Sequence, residues 1–300
     1  MKQILQARSN PGVTGRFAPS PTGELHFGSL LAALGSFLNA RSRNGEWLVR
    51  IENIDPPREI AGAGQAQIEA LARHGMESDR DVVWQIDSMP VHERVIEGLL
   101  ERGLAFPCGC TRADLPDSGV YPGTCRTGLP RGRRARAIRL RVDDQNVAFD
   151  DAVQGPCLRS PATECGDFVI RRADGLIAYQ LAVVVDDASA GVTEVIRGSD
   201  LIESTARQIL VYRALGLEPP RYGHLPLVID SSGRKLSKSE RDDPIRHGMP
   251  ASNLQRALRC LGHSPPPGLT SVDALLAWAT EHWSIDRVPR GPCTIPDPSD

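Results

Sequence analysis

Two short blocks carry residue types suited to a nucleoside triphosphate. RFAPSPTGELHFGS occupies 16–29 and KLSKS occupies 235–239. His26 and Gly28 follow a strand-like stretch and open a helix-like one. A helix start offers unpaired backbone N–H groups and partial positive charge, which suit phosphates. Gly28 lets the backbone approach a nucleotide without a Cβ in the way, and His26 can donate a hydrogen bond to a phosphate oxygen. Lys235 and Lys238 lie on a glycine-containing loop able to close over a triphosphate and neutralise departing pyrophosphate. Preorganised donors of this kind contribute about 10²–10³ each in rate. Either block alone also reads as a solvated turn or a helix cap; together they define a nucleotide site. No G-x-x-x-x-G-K-[ST] occurs, and Gly62-Ala63-Gly64 lacks the third glycine and preceding strand of a dinucleotide fingerprint. P-loop and hydride-transfer chemistry are therefore not expected.

A second chemical group is Cys108, Cys110 and Cys125. Three thiolates this close in sequence suit tetrahedral zinc, which needs a fourth ligand. No histidine lies between His92 and His224, so Cys157, Cys165 or water remain candidates, and three free thiols are the alternative. Cys260 and Cys293 complete a set of seven. Clustering without a secretory signal suggests a metal or free thiols before a disulfide framework. The expected role is structural, with metal replacing the core that a small insertion lacks.

The elements that must position these residues follow from periodicity. A strand is expected over 13–18, then a turn with Pro19, Pro21 and Gly23, then a helix over 29–43 with Leu30, Leu31, Leu34, Phe37 and Leu38 at helical spacing. Gly45 stops the helix and 47–51 reads as a strand, a unit typical of a parallel α/β sheet. Helices are expected over 66–74, 91–102, 204–215, 252–261 and 272–283. Strands are expected over 135–142, 168–171, 177–185 and 225–229, the last feeding a loop over 230–239. The fold class is α/β: a doubly wound, Rossmann-type, mostly parallel sheet over 13–105 and 165–240. A zinc-bearing insertion occupies 106–164 and a short helical tail 241–300.

The composition is that of an ordinary globular chain: 300 residues, 40% hydrophobic, 24% charged, net charge −2. That balance does not advertise nucleic-acid binding, yet a local basic patch is compatible with it. Six arginines fall within 131–141, with Arg139 and Arg141 on one strand face; they can follow an RNA backbone or simply solvate an edge strand. Residues 1–12 show no signal-peptide pattern and apolar runs such as 181–185 are too short for a bilayer. The expectation is a cytoplasmic protein without a membrane partner.

The blocks at 16–29 and 235–239 resemble the HIGH and KMSKS signatures of class I aminoacyl-tRNA synthetases. The resemblance runs from 14 to 239 and takes in LVRIENIDPPRE (48–59), DGLIAYQLAVVVDDASAGVTEVIRGSDLIEST (174–205) and HLPLVIDSSGRKLSKS (224–239). These segments are similar to the glutamyl branch, and within it to shortened glutamyl-Q members. Phe27 and Ser29 depart from the usual HIGH pattern, while Leu236 is a volume-conserving change.

The resemblance implies that Arg16, Phe17, Ala18, Pro19, Ser20, Glu52, Tyr179 and Arg197 bind glutamate. Arginines suit its carboxylates, Glu52 its ammonium, and Tyr179 adds a hydroxyl. Read alone, Arg16 and Glu52 are as easily solvated and Tyr179 as easily core. The resemblance makes His26, Lys235 and Lys238 catalytic, places His26, Gly28, Ser29 and Lys238 on ATP, and supplies Tyr121 as the fourth ligand of one structural Zn²⁺. Mg²⁺ would accompany ATP. Asp186 and Asp187 are expected to be structural carboxylates rather than a magnesium site.

A tail of about sixty residues is short for an RNA-reading domain, since domains typically run about 100–150 residues, and the glutamyl-Q members that the chain resembles lack one. The activity that this resemblance implies is tRNA-independent activation of L-glutamate by a monomer, then transfer to queuosine in the anticodon arm of tRNA(Asp). Alternatives are a truncated synthetase charging the 3′ end of tRNA(Glu), a catalytically inactive nucleotide- or RNA-binding paralogue, and a zinc-dependent RNA-binding protein.

Overall fold

A computed structural model describes residues 12–229, 245 and 248–294; Lys235 and Lys238 lie outside them. The chain opens with β1 (Thr14–Phe17), α1 (Phe27–Arg41), β2 (Glu46–Ile51), α2 (Ala63–Arg73), β3 (Val83–Trp84) and α3 (Met89–Glu101). It continues through β4 (Ala105–Cys108), β5 (Ala137–Leu140), β6 (Val147–Asp151), β7 (Gly155–Arg159), α4 (Pro161–Glu164) and β8 (Val169–Arg171). The remainder is α5 (Tyr179–Ala190), β9 (Glu194–Gly198), α6 (Ile202–Leu215), β10 (Arg221–Leu225), β11 (Val228–Ile229), α7 (Pro250–Cys260), α8 (Val272–His282) and β12 (Cys293–Thr294).

Strands β1, β2 and β3 pair in parallel, as do β9, β10 and β6, with β7 antiparallel at the far edge. The two groups meet where Thr193 N–H donates to the Thr14 carbonyl at 2.9 Å and Thr14 N–H donates to Thr193 Oγ1 at 2.9 Å. The spatial order is thus β3–β2–β1–β9–β10–β6–β7, a doubly wound α/β sheet. Strand alternation explains the two cores. Phe17, Trp47, Val49, Ile51 and Ile196 join the core of α1, α7 and α8, whereas Val195 and Tyr222 join that of α3, α5 and α6.

Helix α1 is apolar nearly all round because it is covered on both sides, by the sheet and by α7 and α8. Leu30, Leu31, Leu34 and Leu38 are fully buried, each contributing about 1.5–3 kcal/mol relative to exposure. The Trp47 indole N–H adds a 2.9 Å hydrogen bond to Ser36 Oγ across the helix–sheet interface. A smaller antiparallel sheet, β4–β5–β8, carries a satellite cluster of Phe106, Cys108, Tyr121 and Cys125.

Three expectations are corrected. Residues 177–185 are not a strand; they start α5, which ends at Gly191 in the left-handed conformation (φ 73°). The run Leu181–Val185 is buried throughout, and a fully buried helix shows no amphipathic period to distinguish it from a strand. The strand expected over 225–229 is split at Pro226, with β10 lying earlier and β11 after it. Cys260 and Cys293 form a disulfide joining α7 to β12, where metal or free thiols were expected first. Among the described residues no helix is long and apolar enough to cross a membrane.

Candidate active site

The strand order reverses between β1 and β9. The crevice beyond the carboxyl ends of strands at such a switch point is where open α/β sheets bind ligands. A cleft of about 400 Å³ opens there, lined by Arg16, Phe17, Ala18, Pro19 and Ser20 from the end of β1 and Glu52 just past β2. Tyr179 at the start of α5, Arg197 on β9, and His26, Gly28 and Ser29 at the head of α1 complete it. The structure therefore gathers into one cleft every anticipated nucleotide and amino-acid residue that it describes. Thr22, Arg58 and Asp200 also line it and were not anticipated.

The cleft floor is a buried ion network. Arg16 Nε donates to Asp187 at 3.2 Å, Arg50 donates to the other Asp187 oxygen at 2.7 Å, and Arg50 also reaches Glu52 at 3.1 Å. Asp186 turns the other way and accepts from Gln85 and is paired with His92, each at 2.7 Å. Breaking one partner of such a buried pair costs about 3–5 kcal/mol, so Asp187 holds Arg16 and Arg50 in place and, through Arg50, Glu52. Burial alone would raise the Asp187 carboxyl, but Arg16 and Arg50 outweigh it and hold it below the ordinary carboxylate range. Burial wins at Glu52, whose carboxyl is pushed up despite Arg50. Burial also raises the Tyr179 phenol, which stays a protonated donor.

Arg197 is arranged differently. Its Nε donates to His224 Nε2 at 3.1 Å and its NH2 to Thr205 Oγ1 at 2.9 Å, while NH1 is buried with no partner. An unpaired buried donor costs about 1–3 kcal/mol, more when charged, so it marks a place for an anion. The carboxylate of a small ligand is the simplest match.

His26 caps α1: its Nδ1 accepts the Ser29 N–H at 3.2 Å, and Nε2 sits 3.0 Å from Ser29 Oγ. Because Nδ1 accepts, the ring proton belongs on Nε2, the nitrogen able to donate. A Cβ on Gly28 would lie 3.1 Å from the His26 ring, so this glycine makes room for the imidazole as well as for a ligand.

The cysteine group lies apart from the cleft. The Cys108, Cys110 and Cys125 sulfurs all lie within 4.8 Å of one another, and Cys110 and Cys125 are 3.6 Å apart. Tetrahedral thiolates at a Zn–S distance of about 2.3 Å are about 3.8 Å apart, so the cluster fits a metal. Tyr121 Oη is 3.5 Å from Cys108 Sγ and 4.0 Å from Cys110 Sγ, and accepts the Cys125 N–H at 2.8 Å. The thiols of Cys157 and Cys165 are turned to nearby carbonyls instead. The expected Arg139–Arg141 face packs inward. Arg139 lies over the Tyr121 ring and donates to Cys108 Sγ, and Arg141 lies over Phe106. Arg131, Arg133, Arg134 and Arg136 are the exposed members, Arg133 pairing with Asp114.

Sequence reasoning missed Arg50, the pairing of Asp186 and Asp187, and the Asp151–His224 pair behind Arg197. The available signal was the alternation of β2, which puts Arg50 on the same face as Glu52.

Fold and cleft together define a class I aminoacyl-tRNA synthetase catalytic domain. Residues 12–118 and 128–266 match the tRNA synthetases class I (E and Q) catalytic-domain family. The chain is 48% identical over 295 residues to the glutamyl-Q tRNA(Asp) synthetase of Chromobacterium violaceum, covering 96% of this chain and 99% of that one. It is 49% identical over 286 residues to the protein of that name from Pseudomonas aeruginosa, covering 94% and 97%. Among solved structures it is similar to a glutamate tRNA ligase from Elizabethkingia meningosepticum in complex with its amino acid. That match has a TM-score of 0.80 at 25% identity, over 95% of this chain and 67% of that one. The chain belongs to the class I synthetase family of the E and Q type, in its glutamyl-Q tRNA(Asp) synthetase branch.

Proposed function

We propose that this chain activates L-glutamate with Mg·ATP, without tRNA, and transfers it to queuosine in the anticodon arm of tRNA(Asp). The observation that carries this reading is the convergence of Arg16, Glu52, Tyr179 and Arg197 on one cleft at the head of α1, with Arg197 NH1 buried and unpartnered. Arg16 and Arg197 clamp the carboxylates, Glu52 takes the ammonium, and the Tyr179 hydroxyl donates; the segment from Phe17 to Ser20 forms the wall. His26, Gly28 and Ser29 face the ATP phosphates. Lys235 and Lys238 are proposed to neutralise the phosphoryl group in flight. The α-carboxylate oxygen attacks the α-phosphorus, forming an acyl–phosphate bond as the bond to pyrophosphate breaks. A hydroxyl of the acceptor then takes the glutamyl group and AMP leaves. No covalent enzyme intermediate is needed, because positioning and electrostatics suffice.

One structural zinc is proposed at Cys108, Cys110 and Cys125 with Tyr121 as fourth ligand, supported by the sulfur spacing and the proximity of the phenol oxygen. The catalytic unit is taken as 13–105 with 165–240, to whose sheet β6 and β7 of the 106–164 segment pair through β10; the rest of that segment is taken as the insertion and 241–300 as the tail. The protein is proposed to be a cytoplasmic monomer, in keeping with its similarity to glutamyl-Q tRNA(Asp) synthetases along nearly its whole length.

The test is the acceptor. Labelled glutamate is offered with ATP, tRNA(Asp) carrying queuosine, the same tRNA lacking it, and tRNA(Glu). Labelling confined to the first supports the reading; labelling of the 3′ end of tRNA(Glu) replaces it with a truncated synthetase.

A further inference from the structure

His224 does not line the cleft, yet it controls the residue that does. Asp151 Oδ1 accepts backbone N–H groups of Val153, Gln154 and His224 at 3.0, 2.9 and 3.0 Å. The other oxygen, Oδ2, meets His224 Nδ1 at 2.5 Å, with both side chains fully buried. With so many donors on one carboxylate, Asp151 is ionised, and Nδ1 must carry the imidazole proton. Nε2 is then left with its lone pair, which the Arg197 Nε–H occupies at 3.1 Å. Thr205 fixes NH2, and the Tyr222 ring lies under the guanidinium at 5.5 Å while stacking on His224. Two of the three guanidinium nitrogens are thus held by the protein and only NH1 is left for a ligand.

The choice of partner has an electrostatic consequence. Arg16 is matched directly by the Asp187 carboxylate, which neutralises much of its charge. Arg197 instead meets a neutral imidazole, with the negative charge of Asp151 one ring further away. A neutral partner fixes orientation while leaving the positive charge available to an incoming carboxylate. The contrast sorts the two arginines: one anchored by an ion pair, the other held in place but still electrophilic.

We propose that Asp151 and His224 form a positioning relay that sets the tautomer of His224 and through it the orientation of Arg197 toward the substrate carboxylate. The inference rests on the reading of Arg197 as a glutamate clamp. Asp151→Asn would turn an amide N–H toward Nδ1 and move the ring proton to Nε2, facing the Arg197 N–H. His224→Leu removes the acceptor, whereas His224→Gln can return a carbonyl oxygen near the Nε2 position.

Glutamate and ATP KM are measured separately by ATP–pyrophosphate exchange for these three variants and Arg197→Met, each with a melting curve. A lost hydrogen bond to a charged group corresponds to about ten- to hundredfold. His224→Leu and Asp151→Asn are therefore expected to raise the glutamate KM by that amount, with the ATP KM unchanged and His224→Gln recovering most of the loss. If a variant fails to melt cooperatively, His224→Gln and the remaining variant decide. Unchanged glutamate KM in folded His224 and Asp151 variants, while Arg197→Met raises it, overturns the relay alone. Unchanged KM in Arg197→Met overturns the clamp reading beneath it. Glutamate and ATP KM rising together without rescue by glutamine reduces His224 to packing.

Discussion

Replacing Arg197 by methionine separates binding from stability. Methionine keeps most of the aliphatic volume and removes the charge. Truncating one member of a buried charge pair costs about 2–5 kcal/mol, and about 1.4 kcal/mol is tenfold in affinity. The glutamate KM should therefore rise from about thirtyfold to several thousandfold. Folding responds differently. The variant loses the hydrogen bonds to His224 and Thr205, about 1.5–3 kcal/mol each for a charged donor. It also sheds the desolvation of a buried guanidinium, worth several kcal/mol, and an NH1 group with no partner. Thr205 Oγ1, 3.2 Å from His224 Nε2, can then donate to the vacated nitrogen. The opposing terms are of similar size, so the melting temperature should move only a few degrees. Exchange kinetics over glutamate and ATP, with a thermal melt of the same preparations, read both quantities. A glutamate KM within threefold of wild type, or an ATP KM rising in step with it, refutes the reasoning.

Three further outcomes are expected. Lys238→Ala should lower exchange by about 10²–10³ with an unchanged melting curve; full activity would remove Lys238 from the chemistry. Burial raises the Glu52 carboxyl, so on acidification it takes up its proton above the ordinary carboxylate range. The glutamate KM should then rise from that pH downward, and Glu52→Gln should show a raised KM without this acid limb; an identical pH profile in the variant removes Glu52 as the ammonium partner. Cys125→Ser, or chelation, should release one zinc per chain and impair transfer to RNA while largely sparing exchange, because the cleft draws no residue from 106–130. Zinc content unchanged in the variant would contradict the ligand set.

The nucleotide end of the cleft was legible from local signals at a strand end and a helix start. Arg16, Glu52, Tyr179 and Arg197 were reached only through the family resemblance, because each alone also fits a solvated or core residue. RFAPSPTGELHFG announced a strand, a turn and a helix in one block, and the structure bears this out with β1 and α1. What supports the cleft was less legible. Asp187 meets Arg16 across 171 positions, and Asp151 meets His224 across 73; no local period encodes such pairings. The helix α5 was mistaken for a strand because burial on all sides erases amphipathicity, and that error hid how Asp186 and Asp187 reach opposite partners. Arg139 read as surface charge because alternation says which face a residue shares, not whether an aromatic ring covers that face.

The proposed RNA-independent activation is tested most directly by ATP–pyrophosphate exchange by the purified protein with glutamate and magnesium, and no RNA. It predicts exchange that depends on glutamate, is not supported by glutamine, and does not increase when tRNA(Glu) is added. Exchange that stays silent until tRNA(Glu) is supplied, or silence under every condition while ATP still binds, would contradict it.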